Sequence, residues 1–379
     1  VSSGRSPRSQ RRGVTLAAAA ALTAALTAAG LAGAEDGGVG APAPPEVRSA
    51  QCIDRCLDLR RVAETGTVEL GGRDLASVTT VRLDGAEGKL DVEPRKAKSS
   101  RVKFRVPLGA QSGKPVVIDE FGNKARSPER LKIVGEDMIT EVEGFKVTSA
   151  EATPSKSFFE GKRRSRVEYL FEAEQPTDVR IDVLKGRKRR LIDTVVKRDQ
   201  DPFASHSAAW NGLGDDGKVA PNGKYSFEVT QLSGSDGDRA GFRYYDHKFP
   251  LAGGHTYGDG LGAGRNHQGQ DIFAKCGNDV YAARGGRIQT SSYHSSAGYY
   301  IVVDGAKTGV DYVYMHLSRK GRAKKGSRVK TGERIGFNDD TGNASGCHVH
   351  FEMWSAPGWY EGGHVLSPTK PLKRWDRWS

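Results

Sequence analysis

The sequence predicts a mostly β protein, with two small β-sandwiches followed by an antiparallel β-sheet domain. Three observations point there. Short runs of alternating apolar and polar residues recur along the chain, each bounded by Gly, Asp or Pro. Gly is frequent, at 48 of 379 residues, which suits strands and turns better than long helices. Neither heptads nor phosphate-cradling loops occur, and the length leaves room for two or three domains, each with its own core.

From the N-terminus, RSPRSQRR is a basic segment followed by an Ala-rich, uncharged run from Val14 to Gly33. Ala32-Gly33-Ala34 fits a small-x-small cleavage site, so residues 1–34 read as a signal peptide, with an uncleaved anchor as the alternative. The Arg11-Arg12 pair leaves the export route open. No other segment is apolar and long enough to span a membrane. Export excludes nucleic acid as a partner, and the formal charge of +12 then points to an anionic membrane surface or cell wall. Four cysteines fit an oxidising compartment. Three connectivities are possible. Spacing favours Cys52–Cys56, which leaves Cys276–Cys347.

Residues 35–59 read as a Gly/Pro/Ala-rich linker leading into the Cys52/Cys56 segment. TVELGG, TTVRLDG, RVKFRVP and KPVVIDEFGN follow as short strands over 60–135, and their arrangement resembles Ig-like modules of the IPT/TIG type. A second block, 139–246, holds SRVEYLFEAEQ, TDVRIDVLKG and KYSFEVTQ. Its WNGLGDDGKVAPNGKYSFEV, from Trp210 to Val229, resembles the FlgD-type Ig-like fold, and its DDG reads as a tight turn rather than a calcium loop. Basic clusters at Gly161–Arg166 and Lys185–Arg190 read either as solvated hairpin tips or as contacts to anionic wall polymer. A third block spans 249–355. The irregular, aromatic tail 356–379 either packs back on that block or lines a substrate groove.

The chemistry lies in the third block. In GCHVHFE, read as a strand, His348 and His350 point to one face while Cys347, Val349 and Phe351 point to the other. In RNHQGQDIF, His267 and Asp271 are four apart and reach one side of an extended segment, with Gly269 allowing a bend. In VDYVYMHLS, alternation places Tyr312, Tyr314 and His316 on one face, and Val313, Met315 and Leu317 on the other. Four imidazoles and a carboxylate suffice for three zinc ligands and two further acid–base or oxyanion-stabilising groups.

HQGQDI, YMHL and TGNASGCHVHFE, in that order and with VKTGERIG before the last, resemble the M23 family of zinc metallopeptidases, the lysostaphin and LytM type. The likeness covers about a third of the chain, from Phe249 to Trp354, and implies an antiparallel β-sheet metallopeptidase domain behind two Ig-like modules. It implies that His267, Asp271 and His350 hold Zn2+, and that His316 and His348 are the non-ligand catalytic histidines. The usual GPHLHFE has Cys347 in place of Pro and Val349 in place of Leu, and neither change touches a reacting group. Tyr314, Asn343 and Glu352 are candidate substrate or supporting contacts. The implied function is that of a secreted, cell-wall-associated endopeptidase that hydrolyses peptide bonds in bacterial peptidoglycan. Two readings from other classes are a non-catalytic wall-binding protein that activates another hydrolase, and an adhesin with a structural metal site. Both would have lost His316 or His348, and neither is lost.

Overall fold

The computed structural model describes residues 43–139, 144–264 and 266–379. The expected signal peptide, 1–34, lies outside the described residues. The architecture is mostly β, and three hydrophobic cores follow one another along the chain.

The first core lies between two sheets. Strand Arg61–Arg73 turns Val62, Val68 and Leu70 inward, and Val102 and Phe104 join them from Arg101–Arg105. The facing sheet contributes Val81, Leu83 and Val117. The expected linker gives way to a strand from residue 46, because Glu46–Asp58 is a 13-residue strand paired with Arg61–Arg73 from end to end. Ala50, Cys52 and Cys56 are buried in the same core, which is why this segment is ordered. Cys52 pairs with Cys56, and Cys276 with Cys347.

The second core also lies between two sheets. Val167, Tyr169 and Phe171 face Ile181, Phe227 and Phe242 across it. Trp210 packs against Tyr244 with ring centroids 4.8 Å apart and the planes tilted by 53°, and it donates its indole N–H to Leu213 O at 2.7 Å, so the tryptophan closes the core. The Asp215-Asp216-Gly217 stretch is a tight turn, with Lys218 N–H donating to Asp216 Oδ1 at 2.9 Å.

This second block meets the third along a buried seam. Arg284 is 1% exposed and lies over the Phe159 ring at 4.2 Å. It donates to Ala306 O at 2.8 and 2.9 Å and to Asp246 O at 2.7 Å. Thr331 donates to Phe159 O and accepts from Gly285 N–H, and a parallel bridge joins Gly161 to Thr331.

The third block is built on one eight-stranded antiparallel sheet. Strands Gln270–Ala274, His348–Ser355, Val310–Leu317, Gly298–Gly305 and Gly286–His294 lie side by side in that order. One face carries Ile272, Val349, Phe351, Ile301, Tyr312 and Tyr314 into the core. The tail is not wholly irregular. Thr369–Asp376 is an α-helix whose Leu372 and Trp375 are buried in that same core. Among the described residues, no helix is long and apolar enough to cross a membrane.

Alternation along Val310–Leu317 does not run to the end of the strand. His316 has φ +58°, and the register slips between Tyr299↔Leu317 and Ile301↔Tyr314. The bulge turns His316 to the face opposite Tyr312 and Tyr314, beside Met315. Tyr314 is therefore not a groove contact. It is fully buried in the core, where its hydroxyl accepts from Ala283 N–H at 2.8 Å.

Candidate metal centre

Strand register builds the site. Asp271 pairs with His350 and Phe273 with His348 across antiparallel neighbours, so the first pair projects side by side from one face. Met315 flanks His350 from the other side. His267 comes from the turn just before Gln270–Ala274, and Gly269 lets it approach. A Cβ on Gly269 would meet His350 Nε2 at 2.7 Å.

Three nitrogens converge on one carboxylate oxygen. Asp271 Oδ1 lies 3.1 Å from His267 Nε2, 2.9 Å from His350 Nδ1 and 3.7 Å from His348 Nε2. The ring centroids of His267 and His350 are 4.5 Å apart at 87°. Ligand atoms around a tetrahedral zinc with bonds of ~2.0 Å sit ~3.3 Å apart. The ligand atoms of His267, Asp271 and His350 all lie within 4.8 Å of one another, and two of the contacts are already near that spacing. Two imidazoles and a carboxylate are donors that zinc accepts, so the residues present fit the ion.

The outer hydrogen bonds fix which nitrogens face the site. His267 Nδ1 donates to Gly260 O at 3.0 Å, which leaves the Nε2 lone pair pointing at Asp271. His350 is turned the other way. Its Nε2 donates to Glu352 Oε1 at 3.0 Å, which frees Nδ1. His348 Nδ1 donates to Gly346 O at 2.8 Å and His316 Nδ1 to Thr341 O at 2.7 Å, so both present Nε2 inward.

Charge states follow from these surroundings. Burial, aided by the neighbouring His348 and His350 and opposed by the Thr341 carbonyl, pushes His316 down to about 4. Burial works against charge on His350 too, but hydrogen bonds to Asp271 and Glu352 outweigh it and hold its pKa at about 9. Asp271 is likewise pushed up by burial, yet its histidine neighbours keep it below the ordinary carboxylate range. In the metal-free protein a proton thus holds the Asp271–His350 pair together, in the place a cation would take.

The site lies at the middle of a groove. One cleft is lined by Gln268, Tyr300, Met315, Trp359 and Tyr360, and a second by Gly258, Asp259, Phe273 and Ser345. The two share His316, Asn343 and His350, so Asn343 stands at their junction. Glu352 is 3% exposed, and His350, Trp354 and Trp359 all donate to it. It supports a histidine rather than offering a free oxygen to substrate. The aromatic wall of Tyr300, Trp359 and Tyr360 was not individually legible in the sequence. Only the aromatic composition of the tail hinted at it.

Part of the chain is similar to known proteins. Residues 265–365 match the Peptidase family M23. The peptidoglycan DD-endopeptidase ShyC of Vibrio cholerae is 37% identical over 87 residues, which cover 23% of this chain and 20% of that protein. A glycyl-glycine endopeptidase of Staphylococcus capitis is 37% identical over 90 residues, covering 24% of this chain and 25% of that protein. The catalytic domain of lysostaphin from Staphylococcus simulans superposes with a TM-score of 0.29 at 28% identity, over 31% of this chain and 92% of that one. The matched stretch is thus only a fifth to a quarter of these curated relatives. Within those bounds, residues 265–365 form a peptidase family M23 domain.

Proposed function

We propose that the chain is a secreted, zinc-dependent endopeptidase that hydrolyses peptide bonds in bacterial peptidoglycan. One observation carries the reading. His267, Asp271 and His350 converge at the midpoint of a groove, and His316 and His348 aim their Nε2 atoms at the same place. Such a groove takes a polymer across the site rather than a chain end into a pocket.

In this reading His267 Nε2, one Asp271 oxygen and His350 Nδ1 hold the zinc. When bound, the ion would lower the pKa of a water toward ~7 and polarise the scissile carbonyl. His316 is neutral at pH 7, so its Nε2 can take the proton that water releases as its oxygen bonds to the carbonyl carbon. The resulting imidazolium keeps its Nδ1 proton on Thr341 O and passes the new one to the amide nitrogen as the C–N bond breaks. His348 Nε2, across from His316, can carry a proton with which to steady the oxyanion, or exchange these duties with it.

Several features support the wider reading. Two disulfides suit an oxidising compartment, and the leader-like segment 1–34 suits export. We assign the first sandwich to an IPT/TIG-like module and the second to a FlgD-like module, and count the tail 356–379 with the enzyme domain. The clusters Gly161–Arg166 and Lys185–Arg190 would face anionic wall polymer. A zymogram on purified cell wall, with and without chelator, tests the activity, and mass spectrometry of released muropeptides identifies the bond. Clearing that persists in chelator, or in His350→Ala, would overturn the assignment.

A further inference from the structure

Glu352 is an unusual neighbour for the site. It is a carboxylate 3% exposed, and among the described residues its ion-pair partner is the imidazole of His350. Its Oε1 accepts from His350 Nε2 at 3.0 Å, while Oε2 accepts from two indoles, Trp354 Nε1 at 2.7 Å and Trp359 Nε1 at 3.2 Å. An ionised carboxylate can only accept, so a Glu352 held this way forces the proton of His350 onto Nε2 and leaves Nδ1 free. Trp354 belongs to the same strand as His350. Trp359 does not, and comes from the loop that walls the groove.

That loop is pinned with care. Trp359 N–H donates to Asp311 Oδ2 at 2.9 Å, and Gln289 holds the other oxygen of Asp311 at 3.1 Å. Gly358 has φ +139°, and a Cβ there would lie 2.8 Å from Asp311 Oδ2. Tyr360 has φ +54° and donates its hydroxyl to Gln268 Oε1 at 3.3 Å, next to His267. The Trp359 ring packs between Tyr300 at 5.4 Å and Tyr360 at 4.7 Å. One loop therefore touches the surroundings of two ligand histidines and also forms the aromatic side of the groove.

We infer that Trp359 is a positioning residue for the metal centre: its indole N–H holds Glu352, and Glu352 in turn fixes the tautomer and orientation of His350. The inference rests on the reading of His350 as a ligand. It adds that the groove wall and the metal site are one hydrogen-bonded unit, so whatever moves Trp359 also disturbs the metal.

The test uses the full chain, stripped of metal and titrated with zinc against a chelator of known affinity. Trp359→Phe keeps an aromatic wall and removes only the N–H. We expect it to weaken zinc binding by ~10-fold or more, the range typical of outer partners of a ligand. The cobalt-substituted variant should show a shifted visible spectrum, and kcat should fall with KM less affected. Zinc affinity and cobalt spectrum unchanged in a folded Trp359→Phe would overturn the inference. Should that variant not fold, Glu352→Gln, which keeps volume and loses charge, decides in the same way. If His350→Ala bound zinc as the wild type does, the ligand reading beneath the inference would be what fails.

Discussion

His316 and His348 face each other with ring centroids 4.5 Å apart, each tethered through Nδ1 to a backbone carbonyl. The tethers leave two Nε2 atoms aimed at the point where His267, Asp271 and His350 converge. On the proposed function a pair built this way would move protons without itself holding metal, and that difference is measurable.

His316→Ala should keep stoichiometric zinc and lose ~100-fold or more in turnover, since it removes a proton carrier and no ligand. His350→Ala should lose both. Metal analysis beside muropeptide release separates the two, and zinc missing from the His316 variant would mean the ligands are misassigned.

The metal-free protein should be most stable near pH 6.5. His316, depressed to about 4 in the fold, favours the unfolded chain as pH falls below 6.5, by up to ~3 kcal/mol once below both values. His350, raised to about 9, contributes stability that is complete below 6.5 and lost as pH rises through 9. Thermal unfolding of chelated protein from pH 4 to 10 checks both limbs. His316→Asn should flatten the acid limb, and added zinc should remove the alkaline one, because an ion then replaces the proton on His350. A profile flat from 4 to 10 would contradict these charge states.

Cys347 directly precedes His348, and Cys276 follows Asp271 by five residues. Their bridge closes a loop of 71 residues, for which unfolded-chain entropy suggests ~4 kcal/mol. Replacing both with Ser should lower Tm and speed zinc loss to a chelator. Replacing Cys52 and Cys56, which lie in the first core, should leave zinc exchange unchanged.

If the Gly161–Arg166 and Lys185–Arg190 clusters contact wall polymer as proposed, wall binding should weaken with salt, because their attraction reaches only about a Debye length, ~10 Å at 0.1 M. Pull-down of the inactive His350→Ala chain on purified wall, at low and high salt, reads this directly. Equal binding at both would remove charge from the account.

Much of the candidate site was legible because its parts are local. His348-Val349-His350 shares one strand face by period alone, and His267 and Asp271 sit four apart around a glycine. Tyr314 was misplaced because periodicity cannot reveal the bulge at His316, which turns one side chain over within a run that otherwise alternates. Residues 46–50 read as linker in the sequence since the order of Glu46–Asp58 comes from pairing with Arg61–Arg73 rather than from its own composition. The helix Thr369–Asp376 offers only Leu372 and Trp375 as an apolar face, carries Pro371, and has no side-chain cap, too little for a sequence signal. Trp359 and Tyr360 become a groove wall only through distant partners, Asp311, Glu352 and Gln268.

Arg284, packed on the Phe159 ring and hydrogen-bonded to Ala306 and Asp246, ties the middle sandwich to the third block. A flexible tether would let the enzyme sample every bond within a sphere around its anchor. A rigid seam instead gives the groove a fixed bearing. On the proposed function, whatever surface grips the sandwich would also set the angle and distance at which a bond is cut, so the molecule would work less like a leashed blade than like a pair of calipers.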